Sequence, residues 1–336
     1  MREVAIIGAC HLPPVSHETR RDDAQLVQAA VSGALAQSGL TQSSIDFVCS
    51  GSCDYIQGKP FAFVMALDGV GAWPPMAESH VEMDGAWALY EAWVHLQTGH
   101  ADTALVYCFG RPSLTDVATV LGLQLDPYTL QPLGLDDTAI AALQADCLLS
   151  SGRVDEEALA TLVATRRGIP VSAYADAPLV ASPLRASACP TPMDSAAAVV
   201  LAAGDTLPAN AARIRGIAHC SDPHAFGFRD LADAPSARRA GEAAGIFGAP
   251  IDHAALHAPY AHQEFILREA LGLGDDTAVN LDGGALVADT PMVSGLARLI
   301  AAANAIREGK AGRALGHATG GPALQQNLVC LFERSP

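Results

Sequence analysis

Short apolar strand-like runs alternate along this chain with segments whose apolar residues recur at helical spacing, and that alternation confines it to α/β architectures. Val4–Ala9 reads as a buried strand. Asp23–Ser38 reads as a helix, with Leu26, Val27, Ala30, Val31, Ala34 and Leu35 along one face and Gly39 stopping it. Ile45–Cys49 and Thr103–Phe109 are predicted strands, with a helix from near Asp84 to Gly99 between them. From Arg111 to about Arg185 the texture changes: helical patterns at Asp137–Leu149 and Asp155–Thr165 lie among Pro and Gly turns, as expected of a helical insertion over a sheet. A strand pattern resumes at Ala196–Ala202, and Gly204–Ala211 reads as a linker. The theme then repeats, with strands at Ala212–Ala218, His253–His257, Thr277–Asn280, Arg313–Ala318 and Asn327–Glu333 and helices at Ser236–Ala244, Gln263–Leu271 and Pro291–Arg307. Residues 1–110 with 186–205 are therefore expected to form one half, 111–185 an insertion and 206–336 a second half. The similar order suggests an internal duplication, although no residue-level repeat is visible.

With 336 residues, half of them hydrophobic, the chain can bury a large core. No apolar run reaches the roughly 18–20 residues that cross a bilayer. Glu3 and the short apolar stretch after it argue against a secretory signal, so a soluble cytoplasmic protein is expected. A formal charge of −16 disfavours nucleic acid or an anionic membrane as partner, though a local basic pocket could still hold an anionic ligand. The eight cysteines form no Cys-x-x-Cys pair, and several sit within apolar strands, where buried free thiols are expected. His253, His257 and His262 have spacings of four and five, but no cysteine or acidic cluster completes a metal site and none is predicted.

Three segments carry a resemblance. Cys189-Pro190-Thr191-Pro192-Met193-Asp194-Ser195 leads into Ala196-Ala197-Ala198-Val199-Val200-Leu201. Leu256-His257-Ala258-Pro259-Tyr260 is followed by Gln263-Glu264 and Glu269-Ala270-Leu271-Gly272-Leu273. Val279-Asn280-Leu281-Asp282-Gly283-Gly284 precedes Thr290-Pro291 and Gly295-Leu296-Ala297, and Leu324-Gln325-Gln326-Asn327-Leu328 closes the series. In this order they resemble the "CPTSDGAAAVVL", "ELHDCFS", "VNPSGG…GHP" and "LQHNLG" stretches of the sterol-carrier/lipid-transfer branch of the thiolase superfamily. The resemblance spans nearly the whole chain and implies a duplicated, five-layered αβαβα thiolase fold with a helical loop insertion.

A thiolase uses a low-pKa cysteine, a histidine that activates it, a second proton-transfer group and oxyanion donors. The nucleophile belongs at the start of the first half's third helix, where this sequence reads His80-Val81-Glu82-Met83-Asp84-Gly85. Anchoring on Gly85 and Ala88-Leu89 places Glu82 at the cysteine's position, and anchoring on Val81 places Gly85 there. No cysteine is present in either register. Glu82 and Asp84 are either helix-capping carboxylates or groups facing a substrate. His257 aligns with a family histidine that donates to the thioester oxygen. The motif's cysteine corresponds to Pro259 and its phenylalanine to Tyr260, whose phenol is either an acid/base group or a packing replacement. The family's "GHP" has become Asp289-Thr290-Pro291, which reads as a helix start with Thr290 as N-cap. Asn280, Gly283 and Gly284 persist, either to let backbone approach a ligand or to make a tight turn. His317 lies near the family's C-terminal catalytic loop and is a further acid/base candidate.

The resemblance therefore implies a protein that acts on acyl-CoA thioesters without an acyl-enzyme. Retro-aldol C–C cleavage or formation in lipid or steroid side-chain metabolism is the leading expectation. His257, Glu82, Tyr260 and His317 are its catalytic candidates, and Asp84, Asn280, Gly283, Gly284 and Thr290 its substrate-binding candidates. Coenzyme A enters only as the substrate's thioester, with no other cofactor. The alternative is a non-catalytic subunit. Expected partners are a second thiolase-fold subunit, in a homodimer or heterodimer, and a small zinc-ribbon/OB-fold protein.

Overall fold

A computed structural model describes residues 1–71, 77–204 and 207–334, so positions 205 and 206 of the expected linker lie outside the described residues. The first half contains β1 (Val4–His11), α1 (Asp23–Ser38), β2 (Phe47–Gly51), α2 (Asp54–Gln57), α3 (Ala62–Val70), β3 (Ala77–Val81), α4 (Gly85–Thr98) and β4 (Thr103–Gly110). The insertion follows, with α5 (Val117–Leu123), α6 (Asp137–Ser150), α7 (Glu156–Arg167), α8 (Val171–Asp176) and the small hairpin of β5 (Leu179–Ala181) and β6 (Leu184–Arg185). The chain then returns to the first sheet as β7 (Ser195–Ala203). The second half holds β8 (Ala212–Ser221), α9 (Pro235–Ala244), β9 (His253–Ala255), α10 (Ala261–Ala270), β10 (Ala278–Val279), α11 (Gly284–Val287), α12 (Ser294–Arg307), β11 (Arg313–Gly320) and β12 (Gln326–Glu333).

The strand order is β3-β2-β4-β7-β1 in the first half and β10-β9-β11-β12-β8 in the second. Numbered within each half, both read third, second, fourth, fifth, first. The duplication is one of connectivity. A short antiparallel ladder, Ala5 with Arg213 and Ile6 with Ala212, joins β1 to β8 and makes one ten-stranded sheet.

Side-chain alternation sorts these strands into layers. In β4, Val106 and Cys108 pack against α4 and α12, while Leu105, Tyr107 and Phe109 pack against α1 and α3. In the second half, Ala314 and Ala318 face the same central helices and Leu315 faces the core of α9 and α10. The central strands are apolar on both faces because helices cover both. The layers run α1/α3, first-half strands, α4/α12, second-half strands, α9/α10, which is the expected αβαβα arrangement.

Four local differences have physical causes. The second strand begins at Phe47 because residues 42–44 form a 3-10 turn first. β9 ends at Ala255, leaving His257 in the turn before α10. The predicted start of α12 at Pro291, with Thr290 as N-cap, is corrected: Thr290 accepts the Val293 and Ser294 N–H groups through its backbone carbonyl, Met292 is left-handed at φ 72°, and the helix begins at Ser294. Finally, residues 52–71 and 77–81 hold α2, α3 and β3, which carry no clear periodic pattern in sequence. β3 is a sheet-edge strand of sequence Ala-Glu-Ser-His-Val with no fully buried residue, so it shows little hydrophobic alternation.

Candidate functional site

The helices α4 and α12 begin side by side in the central layer, and glycine permits their approach. A Cβ on Gly85 would lie 2.5 Å from Cys108 Sγ, and one on Gly295 would lie 2.5 Å from Asp84 Oδ1. Asp84 caps both helices. Its Oδ1 accepts from the Ala86 N–H at 2.8 Å and the Leu296 N–H at 2.9 Å, and its Oδ2 accepts from the Gly295 N–H at 2.9 Å. Free N–H groups at a helix start form a natural anion site; here an internal carboxylate occupies it. Burial lifts the Asp84 carboxyl above the usual carboxylate range, against the opposing pull of nearby His257 and the three N–H groups.

His257 is almost fully buried where the two halves meet. Its Nδ1 accepts from the Thr319 backbone N–H at 3.3 Å, which leaves the ring proton on Nε2, 3.4 Å from Asp289 Oδ1. Asp289 is itself held by backbone bonds to Thr191 and Met193, in the segment that returns to the first-half sheet. Tyr260 lies one layer out, beneath the insertion, and its hydroxyl donates to Asp137 Oδ2 at 2.8 Å. Burial and the adjacent Asp137 carboxylate push the Tyr260 phenol up and keep it neutral. Burial likewise raises Asp137, and Asp289 adds to that rise, so the His257–Asp289 and Tyr260–Asp137 pairs share one electrostatic neighbourhood. Asp137 and Asp289 were not singled out by sequence. Asp137 reads there as an ordinary first-turn acid, and Asp289 is visible only through its place in the altered "GHP" stretch.

The other candidates lie elsewhere. Glu82 is exposed; it accepts from the Asp54 N–H at 3.1 Å and lies 3.5 Å from His80 Nε2. His317 is fully buried on the outer face of β11. Its Nε2 pairs with Asn327 Oδ1 at 2.9 Å, and burial lowers its pKa to about 3. Asn280, left-handed at φ 44°, accepts from the Leu256 N–H at 2.7 Å and donates to Glu264 Oε2 at 3.0 Å, clamping the end of β9 to α10. Gly283 and Gly284 have φ of 87° and 62°, and a Cβ on Gly283 would meet the Arg166 carbonyl at 2.7 Å. They make a tight turn against the insertion. Thr290 is buried at the head of the turn into α12, with its hydroxyl lacking a hydrogen-bond partner. The structure thus brings Asp84 close to His257, whose charge also acts on the buried His317 ring, pairs Tyr260 with Asp137, and leaves Glu82 apart.

Among solved structures, the chain is similar to the "Ltp2-ChsH2(DUF35) aldolase" (TM-score 0.76, 17% identity, 99% of each chain covered). It is also similar to human mitochondrial 3-ketoacyl-CoA thiolase (TM-score 0.77, 15% identity, 99% of each chain covered). No protein-family model matches the sequence, and neither does any curated protein. At such identities the likeness establishes the fold, which is that of the thiolases. Among the described residues, no helix is long and apolar enough to cross a membrane.

Proposed function

We propose that this thiolase-fold chain is a subunit whose thiolase-type centre performs no acyl-transfer chemistry, and that it works by assembling with a catalytic partner. The observation that carries this reading is Asp84. A thiolase-type reaction needs a thiol at a helix start and free donors for the developing oxyanion. Here the N–H groups at the starts of α4 and α12 are taken by a buried carboxylate, whose charge would also repel an oxyanion. Glu82, exposed and engaged with Asp54, and His317, fully buried and engaged with Asn327, support the same reading. Exposed Tyr55, Phe61, Val64 and Met65 on and around α2 and α3, close to the open edge of β3, give a partner an apolar surface. The expected partners are a second thiolase-fold chain and a zinc-ribbon/OB-fold protein. The aldolase named above is by its title a two-component assembly, which agrees with this organisation.

A second reading, retro-aldol cleavage of a β-hydroxyacyl-CoA, is favoured by the paired acids around His257 and Tyr260. Asp289, oriented through His257, would take the β-hydroxyl proton as the C–C bond breaks, and the neutral Tyr260 phenol would donate to the enolate. Coenzyme A would enter as the thioester, with a lipid or steroid side chain as its acyl group.

The test is to offer β-hydroxyacyl- and β-ketoacyl-CoA thioesters to the chain alone and to the chain co-expressed with products of adjacent genes. The subunit reading expects a stable complex, no turnover by the isolated chain, and unchanged turnover by the complex carrying His257→Ala. Cleavage by the isolated chain that disappears in His257→Ala would establish the second reading instead.

A further inference from the structure

A separate group of reactive side chains lies on the outer face of the first-half strands. β3, β2 and β4 run parallel there, and their register sets His80 beside Ser50 and Ser50 beside Tyr107. Phe47 and Cys49 face the central layer and Val48 faces α3, so Ser50 shares the outer face with Val48. Ser50 Oγ lies 2.8 Å from His80 Nδ1, and His80 Nε2 lies 3.5 Å from Glu82 Oε2. When the serine donates to Nδ1, the ring proton resides on Nε2, which makes no hydrogen bond but lies within ion-pair distance of the Glu82 carboxylate once the ring is protonated. That is the sequence of groups by which a base activates a hydroxyl while a nearby carboxylate stabilises the base once it is protonated. Phe63 of α3 stacks on the His80 ring at 4.2 Å and 12°, fixing its plane.

Beside these groups opens a cavity of about 230 Å³, lined by Ser50, His80, Tyr107, Val48, Phe63 and, at the sheet edge, the Glu78 carboxylate. Tyr107 is 1% exposed, and its hydroxyl has no hydrogen-bond partner. An unmet buried hydroxyl is unfavourable, and an oxygen bound in the cavity would offset that. The cavity is smaller than most drug-sized sites, and its apolar wall of Val48 and Phe63 suits a short acyl chain.

We propose that this cavity is a hydrolytic site for short-chain acyl esters, with Ser50 as nucleophile, His80 as general base, Glu82 as positioning residue and Tyr107 as oxyanion donor. Ser50 Oγ attacks the ester carbonyl carbon while His80 Nδ1 takes its proton. The carbonyl oxygen gains negative charge, which the Tyr107 hydroxyl stabilises. The C–O bond to the alcohol then breaks, the alcohol leaves with the proton from His80, and the acyl group remains on Ser50. Water attacks that ester with His80 again as base, releasing the carboxylic acid and restoring the Ser50 hydroxyl. The cavity lies on the outer side of the strands, beside the α2 and α3 surface offered to a partner and away from the Asp84 centre in the central layer, so its chemistry is tested on the chain alone.

The wild-type chain is treated with a fluorophosphonate probe and assayed with p-nitrophenyl acetate and butyrate. The expected results are a phosphonyl adduct mapped to Ser50 by peptide mass spectrometry and ester hydrolysis that Ser50→Ala abolishes. His80→Gln should lower kcat on the order of 100-fold or more, and Tyr107→Phe should lower kcat about 100-fold with little change in KM. Glu82→Gln should lower kcat, with a changed pH profile and KM retained. Absence of an adduct at Ser50 in the folded wild-type chain overturns the proposal whether or not any variant folds. So does hydrolysis that survives Ser50→Ala.

Discussion

At the Asp84 carboxylate, three backbone N–H groups from two helices converge on one buried side chain. Removing it leaves those donors without a partner in the central core. Asp84→Ala is expected to destabilise the fold by about 3 kcal/mol, and Asp84→Asn by less because one oxygen still accepts; urea denaturation midpoints of the three proteins check the order. Sequence reading left Asp84 between a cap and a substrate-facing group, because a first-turn acid looks the same in both roles. What it could not show is that the second helix capped begins more than 200 residues later. His317 poses the complementary problem: its place near the family's catalytic loop suggested acid/base work, yet strand alternation turns it into the outer core. Its pKa is about 3 in the fold, against 6.5 for an unperturbed histidine. Between those values the unfolded chain holds a proton that the folded one does not, so this contribution is complete above pH 6.5 and lost as pH falls toward 3. Stability should drop by up to about 1.4 kcal/mol per pH unit from this residue, and His262, also lowered to about 3, adds a similar slope. His317→Gln should remove this residue's slope, visible as a smaller difference between urea midpoints at about pH 7 and about pH 5.

At the scale of elements, the insertion is fastened by Arg167 at the end of α7. Its guanidinium donates to the Ser187, Cys189 and Leu286 carbonyls and to Thr191 Oγ1, which ties the insertion to the strand returning as β7 and to α11. Arg167→Ala leaves those acceptors unsatisfied and should cost about 3 kcal/mol of docking. Limited proteolysis is expected to cut within residues 111–185 faster in the variant, while the sheet core stays protected; equal cutting rates would show that packing alone holds the insertion. Arg167 is not distinctive in the sequence, since a basic residue in a helix's last turn is ordinary dipole chemistry. The long amphipathic elements α1, α4, α9 and α12 were legible because each buries a full apolar stripe. The region of α2, α3 and β3 was not, because its features depend on neighbours: β3 becomes a strand by pairing with β2, and α3 leaves the bulky apolar residues Val64 and Met65 exposed while burying mostly small ones.

The whole molecule is a repeat of connectivity without a visible repeat of residues. Each half preserves strand order and the two-faced burial that order requires, and many apolar residues satisfy that burial equally well, so the duplication shows in topology before it shows in sequence. Tyr55 at 69%, Phe61 at 67% and Met65 at 60% exposure stand on and beside short helices at the sheet edge of the first half. Such a grouping contributes little to the isolated chain's stability, so Tyr55→Ser, Phe61→Ser and Met65→Lys together should shift its unfolding by no more than about 0.5 kcal/mol per site. If a partner covers that face, burial of these side chains contributes at least about 1.5 kcal/mol each. The triple variant should then bind the partner more than about 100-fold more weakly. Sedimentation velocity of the co-purified complex, read beside thermal melts of the isolated chain, separates the outcomes. Loss of the complex with an unchanged melt places the interface on α2 and α3, and a complex that survives places it on another face of the fold.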